Sequence, residues 1–175
     1  EQNEFIHIAL SSVDRMDALV SDIILLSDMD QNEVNQIRQA IDPMIHIVMP
    51  IQKRLQRYQS REIEFVHDIQ VTDTIFAPRR EFTQALINLA DNAFKFSPQG
   101  GKVTLRVKST GNGGAVMELE DDGPGIPLEL QEKVFERFYQ ASQGDNREFQ
   151  GLGVGLTIAR AVFTSLGGDI KILNR

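Results

Sequence analysis

"QALINLADNAFKFSPQGG", residues 84–101, reads as an apolar helix that carries two asparagines and a lysine. Asparagine is a poor helix-interior residue, because its side chain competes for nearby backbone groups. At ~100° per residue, Phe82, Leu86, Leu89, Ala93 and Phe96 share one stripe, the expected core face, and Asp91 points away from it. Asn88, Asn92 and Lys95 align roughly 120° to one side of that stripe. They flank the core, as residues lining a cleft floored by a sheet would. Asparagine oxygens are neutral, hard ligands of the kind Mg²⁺ accepts while it keeps waters and phosphate oxygens. Taken alone, the helix is better explained by tolerated surface amides.

Two further stretches bear on the choice. In "MELEDDGPGIP" (117–127), a strand puts Met117, Leu119 and Asp121 on one face and Glu118, Glu120 and Asp122 on the other. Asp121 is then aimed where the core residues point, and a buried carboxylate is costly without a donor. Gly123 and Gly125 follow, letting backbone approach something flat or bulky; a purine amino group would supply the donor. In "GLGVGLTIAR" (151–160), Gly151, Gly153 and Gly155 precede or open a helix. Free N–H groups at a helix start suit phosphate. No G-K-[ST] follows and the spacing is not G-x-G-x-x-G, so this is neither a P-loop nor a Rossmann turn.

Around these stretches the chain alternates helices and strands. Residues 3–28 form an expected helix with a narrow, heptad-like seam of Phe5, Ala9, Ser12, Met16, Leu19, Ile23 and Leu26. The polar run 27–33 is the expected domain boundary, so residues 1–30 form one unit and 31–175 the other. A strand is expected within 34–41. A helix follows, capped by Asp42, opened by Pro43, bent at Pro50 and running to about Gln59. Residues 62–69 alternate as a strand. "GKVTLRVKS" and "AVMELED" make a hairpin about "TGNGG". Residues 127–140 read as helical, "ASQGDNREFQGLG" as a loop, "VGLTIARAVFTSLGG" as a helix with a glycine stop, and "DIKIL" as a last strand. The class is α+β, helices on one face of a mixed sheet.

The 175 residues are 41% hydrophobic and carry 18 basic and 25 acidic side chains, a net charge of −7. The acidic balance argues against broad nucleic-acid or anionic-membrane binding. There is no cysteine, which excludes disulfides, thiolate metal sites and thiol nucleophiles. No apolar run approaches the ~20 residues of a membrane span, and no signal peptide is visible. A cytoplasmic location is expected, whether or not a longer parent is anchored.

"NLADNAFKFSP", "DDGPGIP", "VFERFYQ" and "GLGVGL", in this order, resemble the N, G1, F and G2 boxes of sensor histidine kinases, in the superfamily shared with gyrase, Hsp90 and MutL ATPases. The resemblance covers roughly residues 32–175. It implies a two-layer α/β sandwich with a mixed sheet, the Bergerat-type ATP-binding fold, whose usual final strand lies beyond this chain. It implies ATP and Mg²⁺ as ligands, with Asn92 on the metal. Asn88 and Lys95 line the phosphate side as catalytic residues, and Asp121 holds the adenine amino group. Gly123, Gly125 and Ile126 shape the adenine pocket. Phe135 and Phe138 anchor a lid of about residues 140–152. Gly151, Leu152, Gly153, Val154, Gly155 and Leu156 meet the phosphates. The first helix looks like the second helix of the family's dimerisation and phosphotransfer hairpin. The implied partners are therefore an upstream phosphoacceptor helix, a response regulator receiver domain and a second copy of the full-length protein.

The family's acceptor is a histidine followed by an acidic residue and, about a turn later, a proline. His7 and His46 precede isoleucine. His67 precedes Asp68 but sits in an expected strand without that proline. All three read as structural, which places the acceptor upstream. Gln140 stands where a basic residue is common in the family, which puts one phosphate contact in doubt. A gyrase- or Hsp90-like ATPase would carry a glutamate at position 88 as general base. Asn88 cannot accept a proton, so attack by water is disfavoured. A nucleotide-sensing module without kinase activity is the remaining alternative.

Overall fold

The structure, a computed structural model, describes residues 13, 16, 20, 22–25, 27, 37–111, 114–140 and 152–174. Described positions between 13 and 27 are helical. Apart from Ser27, the expected boundary at 27–33 lies outside the described residues, as do most of the seam, His7, Gly151 and all of the expected lid but Gln140 and Leu152.

Strand β1 (Gln39–Ile41) leads to a helical segment that begins as a π-turn at Met44–Val48 and continues as α1 (Met49–Leu55) and a 3₁₀ run at Gln56–Arg61. Asp42 Oδ1 accepts from the Met44 and Ile45 N–H groups at 2.9 and 3.0 Å, the expected cap. Pro50 sits in the first turn of α1, and the change of helix type comes just before it. β2 (Glu64–Gln70) follows, then β3 (Ile75–Ala77), α2 (Arg79–Phe96), β4 (Lys102–Ser109), β5 (Ala115–Asp121) and α3 (Gly155–Ser165).

β4 is the middle strand of a mixed sheet ordered β2-β4-β5, parallel to β2 and antiparallel to β5. The parallel pair needs a crossover, which α2 supplies. β1 and β3 pair separately, antiparallel, Ala40 opposite Phe76. The α+β expectation holds. On β4, Val103, Leu105 and Val107 are buried and alternate with more exposed Lys102, Thr104, Arg106 and Lys108. The buried set packs under α2 with Ile47, Val48, Ile51, Phe82, Leu86, Ala90 and Phe94. Phe94 meets Phe65 edge-on at 6.0 Å and tilts against Tyr58 at 5.7 Å. A second cluster joins Ala85 of α2 to Val154, Ile158, Ala159 and Val162 around α3, and Leu25 of the N-terminal helix closes it.

Several expectations are corrected. Phe96 is exposed, and Phe94 takes its place in the core, because Ala90, Ala93 and Phe94 carry the buried face at this end of α2. Arg61 caps that end through the carbonyls of Phe94, Lys95 and Ser97. Residues 127–140 hold only two short 3₁₀ turns, Leu128–Leu130 and Lys133–Phe135. Leu128 is exposed and only Phe135 is buried there, so no apolar stripe supports a longer helix. Residues 169–173, the expected last strand, form none. α3 does end at glycine: Gly167 has φ +83° and Gly168 N–H reaches Phe163 O at 2.9 Å, a Schellman stop.

Candidate functional site

α2 connects the three motif stretches. At its middle, Asn88 is 7% exposed, and a Cβ placed on Gly155 would lie 3.4 Å from Asn88 Cβ. The first residue of α3 therefore rests on Asn88. At its C-terminal end, a Cβ on Gly123 would run into Asp121 Oδ1 and lie 3.1 Å from Phe96 O. A side chain there would have to displace the Asp121 carboxylate and press on Phe96 O, so the D-x-G-x-G turn lies close against the end of α2. Asn92 and Lys95 are half-buried between these two junctions.

Asn88 accepts from Gln84 Nε2 at 3.0 Å and donates from Nδ2 to Asp22 Oδ1 at 3.4 Å. Asp22 belongs to the N-terminal helix. Burial pushes its carboxyl above the usual range, against the Asn88 hydrogen bond and the Arg54 charge. Lys95 is pulled below the ordinary lysine value by burial, against the attraction of Asp91. Its Nζ lies 4.9 Å from the centre of the Phe96 ring.

Asp121 departs from the sequence reading in one respect. It ends β5 opposite Val103 and turns toward α2, as the alternation requires, yet it is exposed rather than buried. Its Oδ1 accepts from Gly123 N–H at 2.8 Å. Partial desolvation raises its pKa, the Gly123 N–H works against that, and Asp122 and Glu120 add to the rise. Asp122 is engaged elsewhere: its Oδ2 accepts from Lys102 N–H at 2.8 Å and ties the turn to the start of β4. Gly125 has φ +71°. The Ile126 N–H donates to Asn174 Oδ1 at 3.1 Å, and the Ile126 carbonyl accepts from Asn174 Nδ2 at 2.6 Å.

Phe135 is buried, with the Arg160 guanidinium 4.8 Å from its ring centre and its carbonyl bonded to Thr157 Oγ1 at 2.8 Å. Phe138, expected as a second anchor, is exposed; its backbone makes the attachment instead. It has φ +64°, and its N–H donates to Gly153 O at 2.9 Å. Leu152, Gly153, Val154, Gly155 and Leu156 lead into α3, with Val154 fully buried. His46 serves structure, its Nδ1 accepting from Asp42 N–H at 2.9 Å, and His67 lies in β2. An open cleft of about 480 Å³ lies at the start of α2, lined by Ile45, His46, Glu81 and Gln84. It does not include Asn88, Asn92 or Lys95.

Sequence reading missed the anchor of Asp91. Arg54 grips both of its carboxylate oxygens through Nε and Nη2, and Tyr58 OH donates to Oδ1 at 3.2 Å. These partners lie 37 and 33 residues away, so no local spacing announces them.

Residues 77–175 match the family model described as "Histidine kinase-, DNA gyrase B-, and HSP90-like ATPase". The chain belongs to this ATPase family. Its relatives are sensor histidine kinases. It is 31% identical to the sensor histidine kinase WalK of Bacillus subtilis (strain 168) over 95% of its own length and 27% of WalK. A solved structure titled "Mycobacterial sensor histidine kinase MprB" superposes with a TM-score of 0.60 at 30% identity, covering 75% of this chain and 81% of that one. Full-length ShkA in complex with AMPPNP shares the fold, with a TM-score of 0.80 at 23% identity over 99% of this chain and 36% of ShkA. The chain spans about a quarter to a third of the length of the curated relatives it matches.

Proposed function

We propose that this chain binds Mg·ATP and donates the γ-phosphoryl group to a histidine on an upstream helix, as the catalytic part of a two-component sensor histidine kinase. The observation that carries the reading is the double junction on α2. Asn88 meets the glycine-rich start of α3, and the end of α2 meets the D-x-G-x-G turn, so one helix spans both ends of a nucleotide.

In this reading Asp121 accepts a hydrogen bond from the adenine amino group, its carboxylate open to a ligand. Backbone N–H groups at the start of α3 take phosphate oxygens. Lys95 adds positive charge from the α2 side. The donor set fits Mg²⁺ rather than a metal held by protein alone. Among the described residues no three of His, Asp and Glu gather for a metal, and Mg²⁺ is usually held by few protein groups together with phosphates and water. Asn92 would be its protein ligand, and the ion would neutralise charge on the phosphates. Transfer forms a bond from an imidazole nitrogen to the γ-phosphorus and breaks its bond to the β,γ-bridging oxygen, releasing ADP. Positioning supplies most of the catalysis. Asn88, a neutral amide, provides no base for water. Residues 1–30 act as one hairpin helix and 31–175 as the catalytic domain. Val13, Met16, Val20, Ile23 and Ile24 are exposed, an apolar surface suited to the helical bundle of a dimer. The phosphoryl group then passes to a response regulator. No described helix is long and apolar enough to cross a membrane.

The test is γ-labelled ATP with the chain alone and with a separate hairpin carrying the family's acceptor histidine. Acid-labile label is expected on the added hairpin and not on this chain. Label on His7, His46 or His67 overturns the placement of the acceptor upstream. Free phosphate without any labelled hairpin overturns the kinase reading in favour of an ATPase.

A further inference from the structure

The ion pair between Arg54 and Asp91 bears on a third side chain. Asp91 and Lys95 are four residues apart on α2, acid before base, the order in which helical pairs attract best. Lys95 nevertheless makes no ion pair among the described residues, and its Nζ lies over the Phe96 ring at 4.9 Å. Both Asp91 oxygens are occupied by Arg54, and Tyr58 OH adds a third bond at 3.2 Å. Arg54 and Asp91 are each about one-fifth exposed, so the pair is sheltered from the screening that weakens surface ion pairs.

We propose that Arg54 is a positioning residue: by occupying both carboxylate oxygens of Asp91, it keeps Lys95 from folding back along α2 and leaves the ammonium for the phosphates of bound nucleotide. The inference rests on the reading of Lys95 as phosphate-facing. Asp91 is the acid whose charge bears on Lys95, whereas Asp22 interacts with Arg54 and Asn88. Loss of Arg54 therefore unclasps Asp91, one helical turn from the lysine, and takes a nearby positive charge from Asp22, which keeps its Asn88 hydrogen bond. Capture of Lys95 by Asp91 would remove one charge-assisted hydrogen bond from the nucleotide while adenine contacts at the far end of α2 persist.

The experiment is a set of titrations of Mg·ATP and adenosine into wild type, R54M, R54M/D91N and R54M/D22N, each checked for a wild-type circular dichroism spectrum. R54M is expected to weaken Mg·ATP about tenfold, the scale of one charge-assisted hydrogen bond, and to spare adenosine. R54M/D91N should return Mg·ATP affinity to the wild-type range. R54M/D22N, which removes the same charge elsewhere, should not. NMR titration of the Lys95 ammonium should show its pKa rising in R54M and falling back in R54M/D91N. The inference is overturned if R54M/D91N binds as weakly as R54M, if adenosine is lost in parallel, or if R54M/D22N rescues equally well. Should the wild type bind no Mg·ATP, the nucleotide reading fails by itself, and the lysine titration still decides whether Arg54 holds Asp91 off Lys95.

Discussion

Asp121 and Asp122 are adjacent, alike in charge and opposite in use. Among the described residues Asp121 accepts from the Gly123 N–H and is otherwise exposed, while Asp122 accepts from the Lys102 N–H across the strand ends. Asp121→Asn is expected to weaken ATP and ADP alike by roughly ten- to hundred-fold, the range of one hydrogen bond to a charged group. Asp122→Asn should leave nucleotide affinity unchanged; equal losses in calorimetry would refute the assignment. The raised pKa of Asp121 adds a pH effect. A carboxyl whose folded pKa lies above its unfolded value stabilises the fold below the unfolded pKa, and that contribution is lost as pH rises through the folded pKa. Asp121→Asn should therefore melt higher than wild type at pH 7 in the absence of nucleotide. The gain should shrink on acidification as the wild-type carboxyl takes up its own proton. Asn92 makes a separate forecast: Asn92→Ala should abolish the magnesium enhancement of ATP binding while adenosine binds normally. An unchanged magnesium dependence would remove Asn92 from the metal.

At the scale of elements, α2 was legible because its apolar and amide positions repeat with helical spacing. The β4–β5 hairpin was legible because alternation flanks a glycine-rich turn. What escaped has a physical reason in each case. β3 spans only Ile75–Ala77 and exists through its pairing with β1, a contact between residues 34 to 38 positions apart. Residues 128–135 contain enough leucine and phenylalanine to look helical, yet a single ring, Phe135, is buried there. The direction of Asp121 followed from alternation, but its exposure did not, because alternation fixes a face and not how much of that face is covered. Arg54 had no sequence signal, since an ion pair across 37 residues depends on how α1 lies along α2. The entry to α3 supports a prediction at this scale. Gly153 has φ +73°, and a Cβ there would lie 2.7 Å from Tyr139 O; Gly111 has φ +76° with open space around it. Gly111→Ala should cost about 1–2 kcal/mol for the left-handed backbone alone. Gly153→Ala should cost more in urea denaturation, because residues 138–139 must also move. Equal costs would mean that segment is not held against Gly153.

For the whole molecule, Leu25 is, among the described residues, the buried apolar side chain that the N-terminal helix contributes to the second core cluster, with Ala85 and Val154. Leu25→Ala is expected to loosen that helix without unfolding the domain. Hydrogen exchange of amides 22–25 should accelerate while Val103, Leu105 and Val107 keep their protection. Parallel loss at both places would show that the helix is integral to the domain's stability.

The position of β4 between a parallel and an antiparallel neighbour implies an order of events in time. Val107 faces Met117 across the hairpin and Ile69 across the parallel pair. The first partner is ten residues away and can pair as soon as a short turn closes. The second is 38 residues away, and its pairing must wait until α2 has formed and crossed the sheet. The hairpin should then be largely formed at the folding barrier and the β2 edge should join after it. In stopped-flow refolding, Met117→Ala should mainly slow folding, whereas Ile69→Ala should mainly speed unfolding. The reverse pattern would place the crossover, and with it the wall of the proposed nucleotide site, ahead of the hairpin.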